Sequence, residues 1–202
     1  GYKSFKKCMK AKSIFSLFLF PISLILVSVL PLNLFNLISP TAVHATNWNR
    51  FNIAFKNGLR HLNRGNYQKA LDFYNEAIGI YNKDPASYYN RGLANQELGN
   101  HLDAVDDFKK SMTMDGKMYK ANTHSNIGWS YSQLEDYENA LIHFNKAIEI
   151  KPKEGMFYAD KGDALYELGK EKEACSNYLK SLELGYEEIK DYLNSSDGEW
   201  CK

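Results

Sequence analysis

Cysteine is scarce in this 202-residue chain: there are three, Cys8, Cys175 and Cys201. No stretch alternates apolar and polar residues with a period of two, so no strand is assigned. There is no HExxH, and His61, His101, His124 and His143 are scattered without companion cysteine pairs, so no zinc site is assigned. No nucleophile-and-base arrangement stands out, so no catalytic residue and no cofactor are assigned. The acid pair Asp106 and Asp107 reads as a solvated helix face. Gly162 followed by Gly169 and Lys170 is too widely spaced for a phosphate loop, and Glu171 stands where Ser or Thr belongs.

Acid is missing altogether from residues 1–45, which carry five lysines (Lys3, Lys6, Lys7, Lys10 and Lys12). Setting those five aside from 25 basic residues leaves 20 against 24 acidic ones, a net of −4. A nucleic acid is therefore not the expected partner, because a polyanion selects a basic face.

After the lysines comes the apolar run IFSLFLFPISLILVSVL (14–30), then a softer apolar tail to Pro40. The segment closes TAVHA, placing Val43 and Ala45 at the small-residue positions read by a signal peptidase and predicting cleavage after Ala45. Met9 opens MKAKSIFSLF, a more natural signal start than Gly1. Signal cores run about 7–15 residues and membrane spans about 20. The run lies between them and is interrupted by Pro21 and Pro31. Three readings stand open: a cleaved signal peptide first, then an uncleaved anchor, then a buried core helix. The first two place the remainder outside the cytoplasm (periplasmic, lumenal or secreted), with membrane contact only through residues 14–40 if the leader stays.

The rest of the chain repeats itself. Gly58, Gly92, Gly128 and Gly162 are separated by 34, 36 and 34 residues, and Ala70, Ala104, Ala140 and Ala174 keep the same separations. Tyr74, Phe108, Phe144 and Tyr178 follow each alanine by four residues. Apolar residues at three and four spacings, as in Ala140, Leu141, Phe144, Ala147 and Ile148, mark buried helical faces. Breaks fall at Gly65, Gly99, Glu135 and Gly169, and again near Pro85, Asp115 with Gly116, and Pro152. Each unit is thus two helices whose close crossing uses the glycine of the first and the first alanine of the second. The units span about 51–84, 85–118, 121–154 and 155–186. A capping helix at 186–194 turns Ile189, Tyr192 and Leu193 to one face, followed by a tail at 196–202.

This pattern resembles the tetratricopeptide (TPR) repeats. The third unit matches best, with Ile127, Gly128, Tyr131, Ala140, Phe144, Ala147 and Pro152; His61, Asn95 and Leu165 depart from the inner aromatic position. The resemblance implies an all-α, right-handed superhelical array of four helix-turn-helix repeats plus the cap. It also implies a concave groove lined by the first helices, here Phe55, Leu59, Tyr89, Asn90, Leu93, Asn126, Trp129 and Tyr166. Asn90 and Asn126 occupy equivalent positions, suited to pairing with an extended peptide; Trp129 and Tyr89 would serve as apolar anchors. The cations of chaperone-carboxylate binders are absent, since Phe55, Leu59, Asn90, Asn122 and Asn126 fill those places. The expected function is an exported, non-enzymatic adaptor for a protein or peptide. The alternatives are a membrane-anchored assembly factor and a noncatalytic subunit of an envelope enzyme. With Cys8 in the leader, Cys175 and Cys201 either stay free or, outside the cytoplasm, pair across the tail. Asn194 opens a glycosylation triplet that matters only in a eukaryotic secretory route.

Overall fold

The computed structural model describes residues 40–114 and 120–201, and these fall within the unit Ile38–Lys202. The apolar run and the turn at Asp115 and Gly116 lie outside the described residues. Among those described, all regular structure is helical. In order come α1 (Pro40–Leu62), α2 (Tyr67–Ile80), α3 (Pro85–Glu97), α4 (His101–Met114), α5 (Lys120–Gln133), α6 (Tyr137–Ile150), α7 (Gly155–Glu167), α8 (Glu171–Glu183), α9 (Glu188–Asn194) and a 3-10 turn, Ser196–Cys201. No helix among the described residues is long and apolar enough to cross a membrane. α1 with α2, α3 with α4, α5 with α6 and α7 with α8 form four hairpins, and each second helix packs on the first helix of the next pair. This is a superhelical TPR array.

The glycines decide how closely each hairpin closes. A β-carbon added to Gly58, Gly92, Gly128 or Gly162 would lie 2.8, 2.8, 2.7 or 2.5 Å from the ring of Tyr74, Phe108, Phe144 or Tyr178. The ring lies directly on the glycine, with the backbone carbonyl of Ala140 also close to Gly128. The expected glycine–alanine crossing is therefore mainly a glycine–aromatic one, which outweighs the ~1 kcal/mol that a mid-helix glycine costs.

The turns within hairpins share one geometry. Gly65, Gly99 and Gly169 take left-handed φ values of 73°, 81° and 72°. In each turn the next residue's N–H reaches back five positions, as from Asn66 to His61 and from Asn100 to Asn95. This is the Schellman ending, which satisfies carbonyls otherwise orphaned at a helix end. The third hairpin makes the same turn with a non-glycine residue, Glu135, at φ 60°. Between the first two hairpins the carboxylate of Asp84 accepts the Ser87 N–H at 2.8 Å, with Pro85 at the helix start.

The N-terminal end differs from the expected boundary. α1 starts at Pro40, well before residue 51, and passes through Val43 and Ala45. Its earlier part is tied down from Trp48 onward, whose ring lies 5.3 Å from Phe51 and 6.2 Å from Tyr81. At the other end α9 buries Ile189 and Leu193 against Tyr178 and Leu165. The tail is an ordered turn: Trp200 stacks on Tyr166 at 5.0 Å, and Cys201 is bonded to Cys175 with Cα atoms 5.2 Å apart.

Candidate functional site

The departures from the family pattern have a common physical basis. In the first three hairpins the inner aromatic position of the first helix meets the residue three after the alanine of the second helix. In the first hairpin His61 stacks on Phe73 at 5.4 Å. In the second, Asn95 donates from Nδ2 to Oδ2 of Asp107 at 3.0 Å. In the third, Tyr131 meets His143 at 5.7 Å. His61 and Asn95 are thus matched by partners across their hairpins, whereas Leu165 is buried in the cluster of Ala174, Tyr178, Ile189 and Leu193.

The second of these pairs corrects the reading of Asp106 and Asp107. Asp106 is exposed, but Asp107 is buried and receives Nε and Nη2 of Arg91 at 2.9 and 2.6 Å. Burial pushes the Asp107 carboxyl up, against the downward pull of Arg91 and Asn95. Arg91 is itself raised, chiefly by its hydrogen bond to Asp107. Each partner thus favours the charged form of the other, yet the carboxylate's loss of solvent outweighs the attraction at Asp107.

The histidines are corrected too, because the fold brings two of them together. His124 on α5 and His143 on α6 face each other with Nδ1 atoms 3.1 Å apart, so one donates and the other accepts. Burial lowers both, His143 to about 4, with His124, Lys146 and Lys109 adding repulsion there. Among the described residues no group of three or more metal-ligating side chains gathers around them.

The expected groove residues form a graded row rather than a set of free side chains. Phe55 stacks on Phe51 and meets Tyr74 edge-on, and Leu59 is half-buried on the same helix. Tyr89 and Leu93 pack on the cluster of Val105, Phe108 and Ile127. Trp129 is also half-buried, edge-on to His101 at 5.5 Å and against Ala140, Phe144 and Ala164. The two asparagines differ despite their equivalence. Asn90 turns an N–H back to its own helix at the Ala86 carbonyl, 2.9 Å, whereas Asn126 donates to the Tyr89 hydroxyl at 3.2 Å. Tyr166 is covered on one side by Trp200.

Gln96 belongs to this face and is missing from the expected set. Its Nε2 donates to the Asn126 carbonyl at 2.8 Å and to Ser130 Oγ at 2.7 Å, joining the second and third units. It lies four residues after Gly92, the place Tyr166 holds after Gly162, so the repeat register itself points to it. Across the next boundary Ser125 donates to Asp160 at 3.0 Å. Tyr178 donates to Asp163, so the fourth unit's side of the face is acidic.

Comparison with known proteins agrees with this architecture. Residues 84–153 and 157–184 match models of the tetratricopeptide repeat. The chain therefore carries TPR repeats. It is 28% identical over 156 residues to the TPR repeat-containing protein MJ1428 of Methanocaldococcus jannaschii, covering 68% of this chain but only 27% of that protein. It is 26% identical over 137 residues to the photosystem I assembly protein Ycf3 of Prochlorococcus marinus, covering 59% of this chain and 79% of the relative. In fold it is similar to MamA from Desulfovibrio magneticus, with a TM-score of 0.65 at 21% identity, over 75% of this chain and 89% of the other.

Proposed function

We propose that this chain is an exported, non-enzymatic adaptor that binds a protein or extended peptide segment along the face formed by its first helices. The observation that carries the reading is the row Phe55, Leu59, Tyr89, Leu93 and Trp129, half-buried on three successive first helices. Rings and aliphatic chains held from behind lose little freedom when a ligand covers them, which suits them as anchors. The row leads toward Asp160 and Asp163, so the favoured segment is apolar along most of its length and carries donors or a cation at one end. Export is supported by the lysine-led apolar run and by the bond between Cys175 and Cys201, which persists in oxidising compartments. A role in assembling a larger complex accords with the similarity to Ycf3.

Membrane anchorage is the second reading, favoured by the helical course of α1 through Val43 and Ala45. Proteases cut exposed, irregular backbone more readily than helix. N-terminal sequencing of protein from membrane and soluble envelope fractions separates the two. A mature chain starting at Thr46 establishes processing, and an intact leader in the membrane establishes the anchor. Affinity capture with the leader intact, followed by calorimetry on the captured partner, tests the groove. Trp129→Ala should weaken binding by about 2 kcal/mol and Asn126→Ala by about 0.5–1.5 kcal/mol. Binding by both variants as tight as by the unaltered protein, with the fold intact, would rule the face out.

A further inference from the structure

The outer face of α1 has no counterpart in the later units. The residue five before the repeat glycine is Ser87, Thr123 or Phe157 in units two to four, each at most 1% exposed because the preceding hairpin stacks on it. In the first unit that residue is Ile53, 62% exposed. Two residues after the glycine the later units bury Ala94, Ser130 and Ala164, whereas the first unit presents an exposed arginine, Arg60. With Arg50, these residues lie within about 80° of one another around the helix, and Lys56 flanks them.

The charge here is of one sign. Arg50, Lys56, Arg60 and Arg64 are all exposed, and no acidic residue occurs in the sequence before Asp72. Among the described residues no ion pair engages Arg50, Lys56 or Arg60. The nearest acids in sequence, Asp72 and Glu76, belong to α2, which packs on α1 through Ala54 and Gly58 rather than through Ile53 or Arg60.

We infer that this face rests on an anionic phospholipid surface, with Ile53 entering the headgroup layer and the surrounding cations on lipid phosphates. Another helical hairpin is a poor occupant, since it would bury the Arg60 guanidinium where later units place Ala or Ser. A second copy is poorer still, because it would set four cations against four. Anionic headgroups fit both the charge and the isolated apolar residue at its centre. The position in the chain agrees: α1 begins at Pro40, where the apolar run and its tail end. Where the leader is retained, membrane contact then extends beyond residues 14–40 to the first repeat.

The test uses the full chain with Cys8→Ser and an environment-sensitive fluorophore on Ile53→Cys, reconstituted in vesicles. One set is phosphatidylcholine alone and the other is phosphatidylcholine mixed with phosphatidylglycerol. In the anionic vesicles the label should shift to the blue and lose several-fold of its quenching by aqueous iodide. The protection should fade in high salt, which screens exposed charges. The charge reversal Arg50→Glu, Lys56→Glu, Arg60→Glu should abolish it, while a label on Ile142→Cys stays aqueous throughout. Equal quenching at residue 53 in both vesicle types overturns the inference. So does protection indifferent to both salt and charge reversal, and the salt titration needs no variant beyond the label itself.

Discussion

Arg91 and Asp107 face each other across the second hairpin as a two-pronged pair, Nε to Oδ2 at 2.9 Å and Nη2 to Oδ1 at 2.6 Å. Arg91 also donates to Asn75 at 2.7 Å, so the carboxylate holds a guanidinium that joins the first hairpin to the second. Asp107→Ala should destabilise the fold by about 2–4 kcal/mol, because it leaves that guanidinium and Asn95 without their acceptor. Asn in its place keeps an acceptor and avoids burying a charge, so it should cost less. Asp106→Ala, one residue away and exposed, should move stability by less than about 0.5 kcal/mol. Urea unfolding of the three variants reads this order, and equal effects at 106 and 107 would refute it.

The histidine pair makes the third hairpin sensitive to acid. The folded protein holds His143 at about 4 against an ordinary value of 6.5, and His124 is lowered as well. Between those values the unfolded chain takes up protons that the folded one refuses. Stability is therefore full above about pH 6.5 and falls as the pH drops toward 4. Tyr131 lies against His143, and Lys109, Lys120 and Lys146 repel a new charge on the pair. His143→Gln should flatten the profile by about 1 kcal/mol between pH 7.5 and 5, solvent screening at the half-exposed ring keeping the effect below the full shift. Chemical unfolding at the two pH values measures it, and an unchanged slope would show that the pair does not carry the effect.

Glu135 should be improvable. It holds a left-handed φ where the other hairpins use glycine, a conformation that hinders a side chain. Glu135→Gly is expected to add about 0.5–1 kcal/mol and raise the melting temperature by a few degrees. Gly99→Ala should do the reverse, and a scanning calorimeter distinguishes the two directions.

The array was legible because its contacts recur. A glycine beneath an aromatic ring, an alanine at the crossing and a turn residue after the first helix leave the same trace every 34–36 residues. Ile189 and Leu193 showed the cap for the same reason: their spacing fits a helical face. Asp107 was not legible because its burial depends on Arg91 and Asn95, neither of which repeats; the corresponding residues are Ile127 and Tyr131 in the third unit and Lys161 and Leu165 in the fourth. His124 and His143 looked scattered because they meet only across a hairpin. Tyr166 was assigned to the groove without its cover, since nothing in the spacing placed Trp200 upon it.

That cover gives a prediction for the C-terminal end. Cys175 and Cys201 close a separation of 26 residues over the last hairpin, for which chain entropy suggests ~3–4 kcal/mol. Cys201→Ser should release the 3-10 turn and uncover Tyr166 while leaving the earlier hairpins folded. Hydrogen exchange should show lost protection confined to α8, α9 and the turn. Uniform loss along the array would mean that the cap and the repeats unfold together.

The adaptor reading is tested most directly by photo-crosslinking in the cells that make the protein. A benzoylphenylalanine at Leu93, within the row on the first helices, is compared with one at Leu102 and one at Ile142, both exposed on second helices. The account predicts a discrete protein adduct from position 93, lost when Trp129→Ala is added, and none from positions 102 or 142. Adducts from the second-helix positions with none from position 93 would contradict it.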